Sequence, residues 1–230
     1  MSKNLDTVGR RVFVTGVGGA TAVLGAGLGE ARAQSAWATP ARWQPVFEPQ
    51  DDWMELPGRH RFVFDCTSAT GAGDGLAFAD TYFTANQTGY RLSSSDLAVL
   101  IILRHFATVF AYDDGIWAKY GARFGEMLKF NDPKTKAPPA RNIYYADNTS
   151  GSKDNGATLS ALTKKGVHFA VCGMATQKIA EFLAGADKGR TEGIRGELIA
   201  AMISNAHLAA AGIVALNRAQ ERGYAIAHMG

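Results

Sequence analysis

The groups best suited to covalent chemistry in this chain are two thiols, Cys66 and Cys172, each placed where a short apolar run ends. Residues 61–66 (Arg-Phe-Val-Phe-Asp-Cys) and 167–171 (Val-His-Phe-Ala-Val) both read as strands. Beyond Cys172 come Gly173 and a helix expected from about Thr176. Amides at a helix start favour a thiolate, so Cys172 suits a nucleophilic sulfur, and Gly173 permits close backbone approach. The competing reading is a small buried apolar residue, because free cysteines are among the most buried types. It applies more strongly to Cys66. His105 and Arg104 follow a second apolar run, residues 97–103. His105 suits a base or a ligand-orienting group, or else a strand-end histidine bonded to a carbonyl. Arg104 suits an anion, or else a surface pair with Asp96 or Asp113. Asp65, Cys66, Arg104 and Gly173 form the candidate binding set, with Cys172 and His105 as the candidate catalytic pair. His168 and Cys172 share a strand face by alternation, too far apart to chelate a metal by themselves. No metal-ligand or cofactor motif is visible, so neither is expected.

The elements that must position these groups alternate along the chain. Strands are expected at 61–66, 97–103, 167–171, 206–213 and 224–228. Helices are expected at 76–87, at 116–128 with Asp114 as its cap, and at 159–165 closed by Gly166. Three more are expected at 176–184, 192–204 and 214–222. Residues 71–75, rich in glycine, read as a loop, and the polar stretch 129–156 as a lid or an intersubunit element. Such alternation predicts a doubly wound α/β fold, a three-layer sandwich around a mainly parallel five-stranded sheet. In open sheets of this kind, sites collect at the carboxyl ends of the strands, where Asp65, Arg104, His105 and Cys172 fall. If strands one and three are neighbours, a Cys66–Cys172 disulfide is feasible.

The first 33 residues read separately. Arg10-Arg11 precedes a weakly apolar run broken by Gly16, Gly18, Gly19, Gly25 and Gly27, and that run closes on Ala31-Arg32-Ala33. This is the pattern of a twin-arginine export signal cleaved near Ala33, and it predicts a periplasmic protein that meets the export machinery. The run is too polar for a stable membrane span. The chain carries a formal net charge of +3, of which the leader holds +2, so the remainder is near neutral. That balance argues against nucleic acid as a partner. Residues 34–58 carry Trp37, Trp43 and Trp53 among four prolines, an arm lying across its own domain or a neighbouring subunit. Residues 59–230 then form the α/β domain.

Three segments resemble the DsrE/DsrF-like family of small sulfur-relay proteins. Residues 166–175 (Gly-Val-His-Phe-Ala-Val-Cys-Gly-Met-Ala) are similar to its cysteine-bearing strand, 97–106 to its second strand, and 214–224 to its closing helix and strand. The likeness runs from about Arg61 to the C-terminus and leaves out the leader, the arm and most of 129–156. It implies the strand order 2-1-3-4-5, and with it strands one and three side by side. It also implies a homo-oligomer, a trimer or a multiple of one. In relay members a cysteine of the third strand carries a persulfide, and Cys172 is the residue that matches. Two functions follow as expectations. One is thiol-dependent sulfur transfer or redox handling through Cys172, aided by His105, with Cys66 as a further candidate helper. The alternative is a non-catalytic oligomeric periplasmic binding or scaffold protein.

Overall fold

The computed structural model describes residues 44–145 and 157–230; the leader, Trp37, Trp43 and the Asn148-Thr149-Ser150-Gly151 cluster lie outside the described residues. Strands β1 (His60–Cys66), β2 (Leu97–Leu103), β3 (His168–Cys172), β4 (Ala206–Ala209) and β5 (Ala225–Met229) form one sheet. Every pairing is parallel, in the order β4-β3-β2-β1-β5. The chain is therefore a doubly wound α/β protein. As in the order 2-1-3-4-5, one strand flanks the first on one side and three follow in succession on the other. Here the lone flanking strand is β5, and β2 runs between β1 and β3. That separates the two thiols onto non-adjacent strands, contrary to the expectation that they are neighbours, and both are free.

The sheet order decides which face each helix covers. The helices are α1 (Ala69–Tyr90), α2 (Asp114–Leu128), α3 (Leu159–Lys164), α4 (Gly173–Ala184), α5 (Thr191–Ala200) and α6 (Gly212–Glu221). From β1 to β4 each crossover steps the same way across the sheet, and right-handed crossovers then put α1 to α5 on one side. Only the return from β4 to β5 reverses direction, so α6 covers the opposite face. The core divides accordingly: Phe64, Cys66, Ile101, Leu103 and Val171 pack with α1 to α5. Val63, Leu100, Ile102 and Ala170 pack with Ala215, Leu216 and Ala219 of α6. Strand β2, apolar at all seven positions, is buried at every one, as a central strand covered on both faces must be.

Several local expectations need correction. The glycine-rich stretch 71–75 is not a loop but the opening turns of α1, capped by Ser68, whose hydroxyl accepts from the Gly71 amide at 2.9 Å. Its glycines are there for contact: a methyl group at Gly71 would overlap the Met229 carbonyl, and one at Gly75 the Cys66 sulfur. Asp113, not Asp114, caps α2, accepting from the Ile116 amide at 3.0 Å. Asp114 instead accepts from the Asn142 amide and from Arg141. Buried Asn142 donates to the carbonyls of Phe110 and Tyr112, so residues 129–145 are anchored to their own domain. Helix α5 stops at Ala200 rather than Ser204, because Met202 bridges to Tyr112 and Ile203 donates to the Ala111 carbonyl. Strand β4 ends at Ala209, four residues short of the expected 213, and the same apolar run turns into α6.

The described half of the arm packs on its own domain. Residues Pro49–Met54 form a 3-10 turn beside α6 with Met54 fully buried, and the Tyr224 hydroxyl donates to the Met54 carbonyl at 2.7 Å. Glu55 pairs with Arg61 and Arg222, and Asp51 with Arg218. Trp53 stacks on His207, ring centroids 4.4 Å apart and 5° from parallel. His207 in turn meets His168, Nε2 to Nδ1 at 3.0 Å, a bond that needs one nitrogen unprotonated. Burial holds both histidines below the ordinary imidazole value, and for His207 the charge of His168 adds to it. The unfolded chain therefore binds more protons than the folded one. The stability these groups contribute is complete above about pH 6.5 and is lost as pH falls through their lowered folded values. We expect the melting temperature to drop by a few degrees on acidification across that window, with Trp53 fluorescence changing in parallel. A His207→Gln variant with the same acid profile as wild type would show the pair to be silent.

Candidate functional site

Strand alternation sorts the candidate residues before any contact is considered. Asp65 follows Val63, Arg104 follows Ile102 and Cys172 follows Ala170, so all three belong to the face that α6 covers. Cys66 points to the other face, fully buried beneath Gly75. Burial pushes its thiol well above the ordinary value, and the charges of Asp65 and Asp74 add to that. Cys66 is thus an inert core sulfur.

At the carboxyl end of β1 the Asp65 side chain is 2% exposed. Arg104 grips it with two nitrogens, Nε to Oδ1 at 2.6 Å and Nη2 to Oδ2 at 2.8 Å, and His228 of β5 reaches Oδ2 through Nδ1 at 3.0 Å. Burial raises the Asp65 carboxyl, but the bonds and charges of Arg104 and His228 together outweigh it and hold the group below the usual carboxylate value. The remaining Arg104 nitrogen, Nη1, lies 2.6 Å from His105 Nε2. A guanidinium only donates, so this ring nitrogen accepts. His105 adopts φ +51° at the start of the 3-10 turn His105–Ala111, a left-handed conformation that turns the chain sharply after β2. Gly212 seats α6 against this group, since a methyl there would overlap the Arg104 side chain. Arg104 therefore pairs with neither Asp96 nor Asp113, but with the carboxylate of the adjacent strand.

Cys172 is the N-cap of α4, its sulfur accepting from the Ala175 amide at 3.4 Å. The Thr176 hydroxyl holds the Cys172 carbonyl at 3.0 Å, and buried Tyr112 in turn bonds Thr176. Gly173 serves packing: a side chain there would press on the Ala209 carbonyl of β4. Cys172 is 7% exposed, yet it lines a pocket of about 840 Å3 between the starts of α4 and α6. Arg104 and His105 stand in the same wall, while Asp65 lies behind Arg104 and Cys66 is not part of the lining. The rest of the wall is largely apolar, with Phe106, Met127, Met174, Ile179 and Ile213.

The sequence reading missed His228 and these apolar wall residues. His228 had one usable signal, its place near the end of the last strand, but its partner is 163 positions away. His168, weighed for metal binding, sits at the opposite end of β3 with His207. Among the described residues no group of three histidine, cysteine or carboxylate side chains is placed to hold a metal ion. No helix among them is long and apolar enough to cross a membrane.

One consequence is directly measurable. With native protein, N-ethylmaleimide is expected to label Cys172 through the pocket and leave Cys66 untouched, giving one adduct by mass and two after denaturation. Equal labelling of both thiols in the native state would contradict this assignment.

Fold and site together define a parallel, doubly wound α/β protein with one thiol in an apolar pocket at the carboxyl ends of its strands. No family model, no curated protein and no solved structure matches the chain.

Proposed function

We propose that the protein is an exported, DsrE/DsrF-like carrier of sulfane sulfur, loaded on Cys172. The observation that carries this reading is the Cys172 thiol lining the pocket at the end of β3, with the Ala175 amide directed at its sulfur. The thiolate is the nucleophilic form of cysteine. It attacks the outer sulfur of a persulfide donor, R–S–SH. A Cys172 Sγ–S bond forms, the donor's S–S bond breaks, and the electron pair leaves on the inner sulfur as a thiolate that takes up a proton. The exchange is redox-neutral and leaves Cys172 as a persulfide. Arg104, held by Asp65 and His105, stands in the pocket wall with the sulfur.

The test is intact mass after incubation with a persulfide donor, followed by peptide mapping. A gain of one sulfur atom on the Cys172 peptide, with none on Cys66, is expected; no gain at Cys172 sinks the proposal. The apolar wall also favours the second reading, a binding protein that performs no transfer, and that reading gains if the thiol stays unloaded. Export and self-association belong to the same proposal. The edge strands β4 and β5 expose Leu208 and Ile226, which suit contact between copies. Light scattering on the chain from Gln34 onward should give a trimer or a multiple of it, and a monomer would remove that part.

A further inference from the structure

The pocket differs from what a water-soluble, charged sulfur donor would require. Its exposed wall is mostly apolar, and its two cationic side chains each have a carboxylate partner. The charge of Arg104 is matched by the Asp65 carboxylate, which takes two of its five N–H donors, and His105 takes a third. Lys178 pairs with Glu181 at 2.9 Å at the outer rim. An anionic substituent entering here would shed water against a largely apolar wall whose two cations already have carboxylate partners, whereas an uncharged hydrocarbon group would gain from leaving water. The volume, about 840 Å3, is that of a small-molecule site, and three large side chains at the mouth remain open to solvent: Phe106 at 53%, Met174 at 62% and Ile213 at 59% exposure.

We propose that the donor this pocket selects is a low-molecular-weight hydropersulfide whose organic substituent is uncharged and apolar. The substituent lies against Phe106, Met127, Met174, Ile179 and Ile213, and its outer sulfur meets Cys172. This rests on the reading that Cys172 receives sulfur, and adds which class of compound delivers it. The exchange is R–S–SH plus the Cys172 thiol giving the Cys172 persulfide plus R–SH, with no oxidant or reductant consumed.

The experiment compares two donors on the same protein at equal concentration: benzyl hydropersulfide, released in place from a caged precursor, and glutathione hydropersulfide, which carries net negative charge. Sulfur gain at Cys172 is followed by mass. Benzyl hydropersulfide is expected to load Cys172 about tenfold faster or more, the scale that burial of an aromatic ring supplies. Because Phe106 is half exposed, Phe106→Asp should fold, and it should shrink the preference severalfold. Equal rates, or faster loading from glutathione hydropersulfide, would overturn the donor class while leaving sulfur transfer standing. Loading by neither donor removes the transfer reading itself, and the donor class with it.

Discussion

The Cys172→Ser variant is expected to lose all sulfur gain at position 172 while keeping the fold. The loss follows from chemistry: a hydroxyl oxygen is far less nucleophilic than a thiolate at neutral pH and has no persulfide form to hold the transferred atom. Retention of the fold follows from position. Cys172 caps α4 through its sulfur, which accepts from the Ala175 amide, and serine is among the preferred residues for that role. Melting temperature should therefore stay close to wild type. The readout is the mass of the 172-bearing peptide after donor treatment, beside a thermal melt of the same sample. Sulfur gain that persists in this variant would place the acceptor elsewhere. Loss of gain with a collapsed melt would make the cysteine structural.

Asp65→Ala should destabilise the domain by about 3–5 kcal/mol, the scale for removing one partner of a buried ion pair. For a domain of this size that corresponds to a fall of roughly 10 °C in melting temperature. The carboxylate is almost wholly buried and accepts two bonds from Arg104 and one from His228. Its removal strands the Arg104 guanidinium, whose side chain is only 15% exposed, at the edge of an apolar pocket. The discriminating comparison is the double variant Asp65→Leu with Arg104→Met, which removes both charges. It should be more stable than Asp65→Ala, because the cost lies in the unpaired charge more than in the missing bond. A pH series adds a second check. Asp65 is held below its ordinary value, so the stability it contributes is present above about pH 4 and is lost as pH falls through the lowered folded value. That window lies below the one set by His168 and His207, and the two can be read separately. A double variant no more stable than Asp65→Ala would mean the pair contributes little beyond packing.

The amino-acid sequence by itself determined the elements whose patterns are local. Residues 97–103 are apolar at every position and flanked by polar ones, and β2 has those bounds, as the strand-like length of the run and its Val99, Ile101 and Ile102 favour a covered strand. Alternation of such runs with amphipathic stretches was enough for the α/β class and the parallel sheet. It also put Cys172 and the Arg104-His105 pair at strand ends, since both follow directly on apolar runs. Glycine content misled the reading of α1. Helix propensity counts Gly71 and Gly75 against a helix, yet in the fold they let α1 lie against β5 and Cys66, a packing gain invisible in one segment.

Tertiary structure decided what depends on which strands meet. The position of β5 beside β1 is set by the return crossover through α6, and no residue of β5 announces it. That choice brings His228 to Asp65, while β2, lying between β1 and β3, keeps Cys66 and Cys172 on non-adjacent strands, and both remain free thiols. The pairing of Arg104 with Asp65 likewise spans 39 positions and exists because β1 and β2 end in register, Cys66 opposite Leu103. The apolar pocket is the plainest case. Met127, Ile179 and Ile213 come from α2, α4 and α6; the first two read as ordinary helix residues and Ile213 as the end of a strand, and only the packing of three helices around one strand terminus makes them a wall. Periodicity along a chain records which side of an element is buried, but the identity of the neighbour is set by long-range packing, and the site is built from neighbours.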